Sequence, residues 1–106
     1  MKLRQLAHSR TGDKGDTSNI SVIAYRPDDY PRLCAALSEA RVQAYLEKLF
    51  PKEAVPVRLR VRRYELPRVH ALNFVVAGVL RGGVTRSLAL DAHGKTLGSI
   101  LLDLDL

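Results

Sequence analysis

The chain has 106 residues, with 17 lysines and arginines against 11 aspartates and glutamates, for a net charge of +6. That length supports one hydrophobic core and excludes two, and 46% hydrophobic with 26% charged residues is the composition of a folded domain, not a disordered one. With no apolar run of about eighteen residues, no signal-peptide pattern in Met1–Gln5 and a lone Cys34 that cannot form an intramolecular disulfide, the sequence points to a cytoplasmic protein without a membrane span.

Lys2 to Ser9 reads as a first strand, and Arg10 to Thr17 as a polar, glycine-containing loop. Ser18 to Tyr25 reads as a second strand. Ile20, Val22 and Ala24 lie on one face and Ser21, Ile23 and Tyr25 on the other, and this mixed character suits a central place in a sheet. Pro31 suits the first turn of a helix, where a missing N–H costs nothing. Leu33, Leu37, Ala40 and Ala44 form one helical stripe, and Val42, Leu46 and Leu49 fall roughly opposite it. One straight surface helix would not need both stripes, so a break is expected near Ser38, which would cap a second helix over Glu39–Phe50 ahead of Pro51. Cys34 is expected as a buried small hydrophobe on the first helix.

Val57 to Leu66 is the clearest strand, with Val57, Leu59 and Val61 on one face and Arg58, Arg60 and Arg62 on the other. The arginine row is either an anion-binding surface or the charged guard of an edge strand, and the second is favoured. Pro67 to Leu80 fits both helix and strand; its Leu72, Val75, Val76, Val79 and Leu80 spacing favours helix. Arg81-Gly82-Gly83 reads as a turn, Thr85 to Asp91 as a strand, and Ala92 to Lys95 as a tight turn around Gly94. Leu97, Ile100 and Leu101 suit a helical turn, and Leu102, Leu104 and Leu106 alternate as in a last strand.

The densest cluster of functional side chains is His8 to Ile20. Gly12 and Gly15 with successive N–H groups could cradle an anion, with Arg10 and Lys14 supplying charge and Asn19 orienting a polar group. Asp13 and Asp16 could instead cap backbone groups in a structural turn. A two-carboxylate metal site does not match a calcium loop, and the spacing is not that of a Walker motif. Gly82 and Gly83 are expected to form another wall of the site. His8 and Asp13 are the candidates for acid–base catalysis, since His8 abuts this cluster. His8, His70 and His93 are too scattered to predict a metal centre, and no cofactor is expected. The basic balance suggests an anionic small molecule or an acidic protein surface. With four Tyr, two Phe and no Trp there is no stacking platform for nucleic acid.

Ser9-Arg10-Thr11-Gly12-Asp13-Lys14-Gly15-Asp16-Thr17-Ser18-Asn19-Ile20 resembles the opening signature of the C-terminal domain of AtuA-like proteins, the acyclic terpene utilisation family. Tyr64-Glu65-Leu66-Pro67 with His70-Ala71-Leu72-Asn73-Phe74, then Gly82 to Leu88, then Asp91 to Leu97, resemble it further, in order and over nearly the whole chain. The resemblance implies an α+β ferredoxin-like sandwich, a mostly antiparallel sheet with helices on one face. Residues 1–106 would be that small domain alone, with the family's large domain on a separate polypeptide. It also implies work beside acyl-CoA chemistry in the breakdown of terpenoid or branched-chain acids. It carries Arg10, Asp13, Lys14, Gly15, Asp16 and Asn19 over as a motif, without assigned roles. The expected function is an accessory or ligand-binding subunit. Its partner would be a large AtuA-like polypeptide or an acyl-CoA carboxylase component, and a homo-oligomer is expected. The alternatives are a small hydratase or lyase using His8 or Asp13, and a pure oligomerisation module.

Overall fold

Alternation dictates the centre of the sheet. From Thr17 to Ala24 every second residue is buried (Ser18, Ile20, Val22, Ala24), and from Leu72 to Val76 the same holds for Leu72, Phe74 and Val76. Such a period of two needs a strand with one face in the core. The computed structural model describes residues 1–14, 17–48, 59–77 and 97–106. Its strands are β1 (Ala7–Lys14), β2 (Thr17–Ala24), β3 (Arg60–Leu66) and β4 (Ala71–Ala77), joined in the order β1-β2-β4-β3 with every pair antiparallel. Three helices, α1 (Tyr30–Ala36), α2 (Glu39–Glu47) and α3 (Leu97–Leu101), complete an α+β sandwich.

The helices cover one face of the sheet. Leu33 and Leu37 from the α1 region, Val42 and Leu46 from α2, and Leu101 and Leu104 from the C-terminal segment pack on Ile20, Val22, Val61, Leu72, Phe74 and Val76 in one cluster. Full burial of each large apolar side chain is worth about 1.5–3 kcal/mol. Leu37 leaves the helical region (φ −104°, ψ 70°), and Ser38 Oγ then accepts the Arg41 N–H at 3.1 Å to start α2. This break turns both stripes, Leu33/Leu37 and Val42/Leu46, toward the same core, as the two-stripe pattern predicts. Pro31 lies in the first turn of α1, and Cys34 is half-buried against the core.

Arg63 belongs to this covered face. Its guanidinium donates to the Cys34 carbonyl at 2.7 Å and the Leu37 carbonyl at 3.0 Å, satisfying carbonyls at the end of α1 that have no partner within the helix. α3 lies across β1: Gly98 donates its N–H to Thr11 Oγ1 at 2.9 Å. The two chain ends are tied together by Leu3 N–H to the Leu104 carbonyl, Leu106 N–H to the Met1 carbonyl, and ion pairs Lys2–Asp105 and Arg4–Asp103.

Four expectations are corrected. The first strand does not start at Lys2: Leu3–Gln5 forms a 3₁₀ turn, and β1 runs from Ala7 to Lys14. The polar run Arg10 to Lys14 is therefore strand, not loop, because all of it pairs with β2 from Ala7↔Ala24 to Lys14↔Thr17. Its polarity reflects position at the sheet's margin. Pro67–Val69 is a 3₁₀ turn and Ala71–Ala77 a strand, so over residues 67–77 the expected helix does not form; pairing to strands on both sides outweighs the leucine and valine spacing. The last residues make one bridge, Lys2↔Asp105, rather than a full strand. The expectations for Leu49 to Arg58 and for residues 78–96, including the Thr85–Asp91 strand and the turns at Gly82-Gly83 and Gly94, fall outside the described residues.

Candidate functional site

The second face of the sheet is the one the described helices leave uncovered. Antiparallel partners stand side by side on the same face, so the register gives its layout. One row across the sheet is Arg10 (β1), Ser21 (β2), Asn73 (β4) and Tyr64 (β3). The next is Gly12, Asn19, Val75 and Arg62, and the one beyond includes Thr17, Ala77 and Arg60. Arg10, Gly12, Arg60, Arg62 and Tyr64 are exposed, while Asn19, Ser21, Asn73 and Val75 are half-buried. The margins thus carry arginines and the middle is a shallow trough of small amides and a hydroxyl. Ser21 Oγ donates to Asn73 Oδ1 at 3.3 Å, which orients both groups within the trough.

Charge is segregated between the two faces. Arg10, Arg60 and Arg62 make no ion pair among the described residues. Of the described carboxylates, Asp28 and Asp29 lie in the turn before α1, Glu39 and Glu47 on α2, Glu65 opposite Leu72 in the covered register, and Asp103 and Asp105 at the C-terminal end. Glu47 and Glu39 accept the Leu59 N–H at 2.9 Å and the Arg63 N–H at 2.8 Å, closing two outward-facing donors of the β3 edge. Glu39 also lines a groove of about 640 Å³ between α2 and β3, where the edge of β3 contributes Arg60, Arg62 and Arg63.

Gly12 marks the open face sterically. A Cβ built on it meets nothing within 4 Å, and its φ is not in the left-handed region. A strand glycine that neither geometry nor packing requires leaves room for close approach from outside. At the other end of the face the His8 and Tyr25 rings stack at 5.3 Å and 31°, with Tyr25 largely exposed.

The structure brings together Arg10, Gly12 and Asn19 of the predicted set, on one face. It separates the two acid–base candidates: His8 pairs with Ile23 and Asp13 with Ser18, five residues apart along β1, which is about 17 Å of extended strand. Gly15, Asp16, Gly82 and Gly83 lie outside the described residues, and for Asp13 and Lys14 only the strand pairing is described. Ser21, Asn73 and Tyr64 were not among the predicted site residues. The out-of-core phase of β2 marks Ser21, and reading 71–77 as strand marks Asn73. Among the described residues no three His, Cys, Asp or Glu side chains gather as metal ligands.

A second group of polar residues sits on the covered side. His70 has a left-handed backbone (φ 54°) where the 3₁₀ turn hands over to β4, and its carbonyl accepts the Ala24 N–H at 2.9 Å. Tyr30 meets it edge-on at 6.1 Å, and the Tyr30 hydroxyl is buried without a hydrogen-bond partner among the described residues. Burial, then the neighbouring Cys34 and Glu65, push the Tyr30 phenol up to about 12, against a smaller opposing effect of Arg63. His70 thus stands at the entry into β4, the strand that carries Asn73.

The sheet order, the covering helices and the β1–β2 signature agree with the sequence comparison, in which the AtuA ferredoxin-like domain matches residues 1–106. The chain belongs to the AtuA ferredoxin-like domain family. No curated protein and no solved structure matches it. In this AtuA ferredoxin-like domain the described parts of the run Ser9–Ile20, residues 9–14 and 17–20, are paired strand. None of its described helices is long and apolar enough to cross a membrane.

Proposed function

We propose that this AtuA ferredoxin-like domain is an accessory, ligand-binding subunit that holds an anionic group on the open face of its sheet. One observation carries the proposal: Arg10, Arg60 and Arg62 share that face and make no ion pair among the described residues. Unpaired guanidinium groups beside fixed amides favour carboxylate or phosphate through charge-assisted, fork-shaped hydrogen bonds. Asn19, Ser21 and Asn73 then orient the neutral part of the ligand, and Gly12 admits it close to the backbone.

The family supports a place beside acyl-CoA and terpenoid-degrading enzymes, with a large AtuA-like polypeptide or a carboxylase component as the partner. The open face is poorly suited to pairing with a copy of itself, since an isologous contact would set like charges against each other. A homo-oligomer would use another surface.

The test is calorimetric titration with coenzyme A at low salt, comparing the wild-type protein with the Arg10→Ala/Arg62→Ala double variant. The proposal predicts binding that weakens at least roughly tenfold in the variant, in line with the loss of charge-assisted hydrogen bonds. Equal affinity in both proteins, or no binding of coenzyme A or of inorganic phosphate by either, contradicts it.

A further inference from the structure

We infer that the ligand of this face carries two separated anionic groups, one held at each margin of the sheet, with an uncharged polar segment lying across the strands between them. The inference rests on the anion-binding proposal above and deepens it. Arg10 is on β1 and Arg62 on β3, at opposite ends of the order β1-β2-β4-β3. Three interstrand steps and one row of offset put their backbones about 16 Å apart. Arg60 stands one row beyond Arg62 on the same margin, so that margin is the more strongly charged.

For both arginines to grip one compact anion, their side chains would have to lie flat over Asn19, Ser21 and Asn73. That would cover the half-buried amides and force out their hydration. A ligand with charge at both ends needs no such rearrangement. Each end meets a guanidinium that projects from its own strand. The middle meets the Ser21–Asn73 pair, whose hydrogen bond at 3.3 Å leaves the Asn73 amide N–H₂ and the Asn19 amide free for donors and acceptors of the ligand. The trough floor is uncharged from β2 through β4 in these rows (Asn19, Ser21, Asn73, Val75), so a third charge in the middle of the ligand has no partner there. The chemical class is therefore an elongated bis-anion, a dicarboxylate, a bisphosphate or a mixed pair, with an ether-, amide- or hydroxyl-bearing spacer.

The experiment is a ruler series: oligo(ethylene glycol) diacids of increasing spacer length, and the length-matched monoacids, titrated into isotopically labelled protein and followed by nuclear magnetic resonance. Affinity should climb with spacer length to an optimum near the separation of the two margins, then stop climbing. At that optimum Arg10→Ala and Arg62→Ala should each cost roughly tenfold, and each single variant should bind the diacid no better than wild type binds the monoacid. Affinity independent of spacer length, or monoacids equal to diacids, with either arginine still required, overturns the two-ended ligand and leaves the anion site standing. If neither substitution affects any member of the series, the anion site itself is wrong.

Discussion

Gly98 and Gly12 lie at opposite faces of β1, and what surrounds them differs in kind. A Cβ on Gly98 would sit 2.5 Å from Thr11 Oγ1 and 2.7 Å from Ser9 Oγ, so α3 can lie on the sheet only with hydrogen at that position. A Cβ on Gly12 would meet nothing. Thr11 and Gly12 are adjacent in sequence, yet one is committed to internal packing and the other is not. The same division runs across β3, where Arg63 turns inward to cap α1 while Arg60 and Arg62 stay exposed and make no ion pair among the described residues. The covered face uses its polar groups to hold the fold together. The open face keeps its own available.

Substitutions that separate stability from binding sharpen this contrast. The largest effect is expected at Phe74, which is fully buried at the centre of the core: Phe74→Ala should lose about 3–5 kcal/mol in chemical denaturation. By contrast Arg62→Ala should stay within about 0.5 kcal/mol of wild type while weakening anion binding. Gly98→Ala should cost about 1–3 kcal/mol, because the added methyl must push Thr11 and Ser9 aside. Its counterpart Gly12→Ala should raise stability by about 0.4–1 kcal/mol by restricting the unfolded chain, and should impair binding on the open face. A Gly12→Ala protein that is both more stable and fully competent in binding would break the comparison. Ser38→Ala should cost about 1 kcal/mol through loss of the α2 cap, again with binding unchanged.

A further contrast is in pH dependence. The Tyr30 phenol is raised to about 12 in the folded protein against an ordinary value of 10.0, so folding favours its protonated form. That contribution is fully present below pH 10 and is lost as the pH rises from 10 towards 12. In denaturation experiments across that interval, Tyr30→Phe should flatten the decline in stability relative to wild type. Parallel curves for the two proteins would show that the buried hydroxyl does not titrate as its surroundings dictate.

Much of the architecture was legible because it follows from periodicity. The alternation at Ile20, Val22 and Ala24 identified a central strand, the two opposed stripes identified a break at Ser38, and the Val/Leu and Arg alternation identified the β3 edge. The strand over Arg10 to Lys14 is not legible in composition, because a polar run with a glycine has the look of a loop. Polar and glycine-containing residues are compatible with a strand when its partner supplies the ladder and only one side faces the core. The segment after Pro67 is hidden for the complementary reason: a strand paired on both sides is apolar enough to mimic a buried helix. These two strands together hold the candidate site. The sequence points to Arg10 and Gly12 as loop residues and to Asn19 at the start of the next strand. Their neighbours Ser21, Asn73 and Tyr64 join them only through strand pairing, which no local pattern in the sequence records.

The most direct measurement is a backbone amide titration of the labelled protein with coenzyme A, mapped residue by residue. Binding on the open face predicts the largest shifts at Arg10, Gly12, Asn19, Ser21, Asn73 and Arg62, with Leu33, Val42 and Leu46 on the helical side unmoved. Shifts centred on α1 and α2, including Glu39 and Gln43, with Arg10, Gly12, Asn19, Ser21 and Asn73 silent, would contradict the assignment of that face as the site.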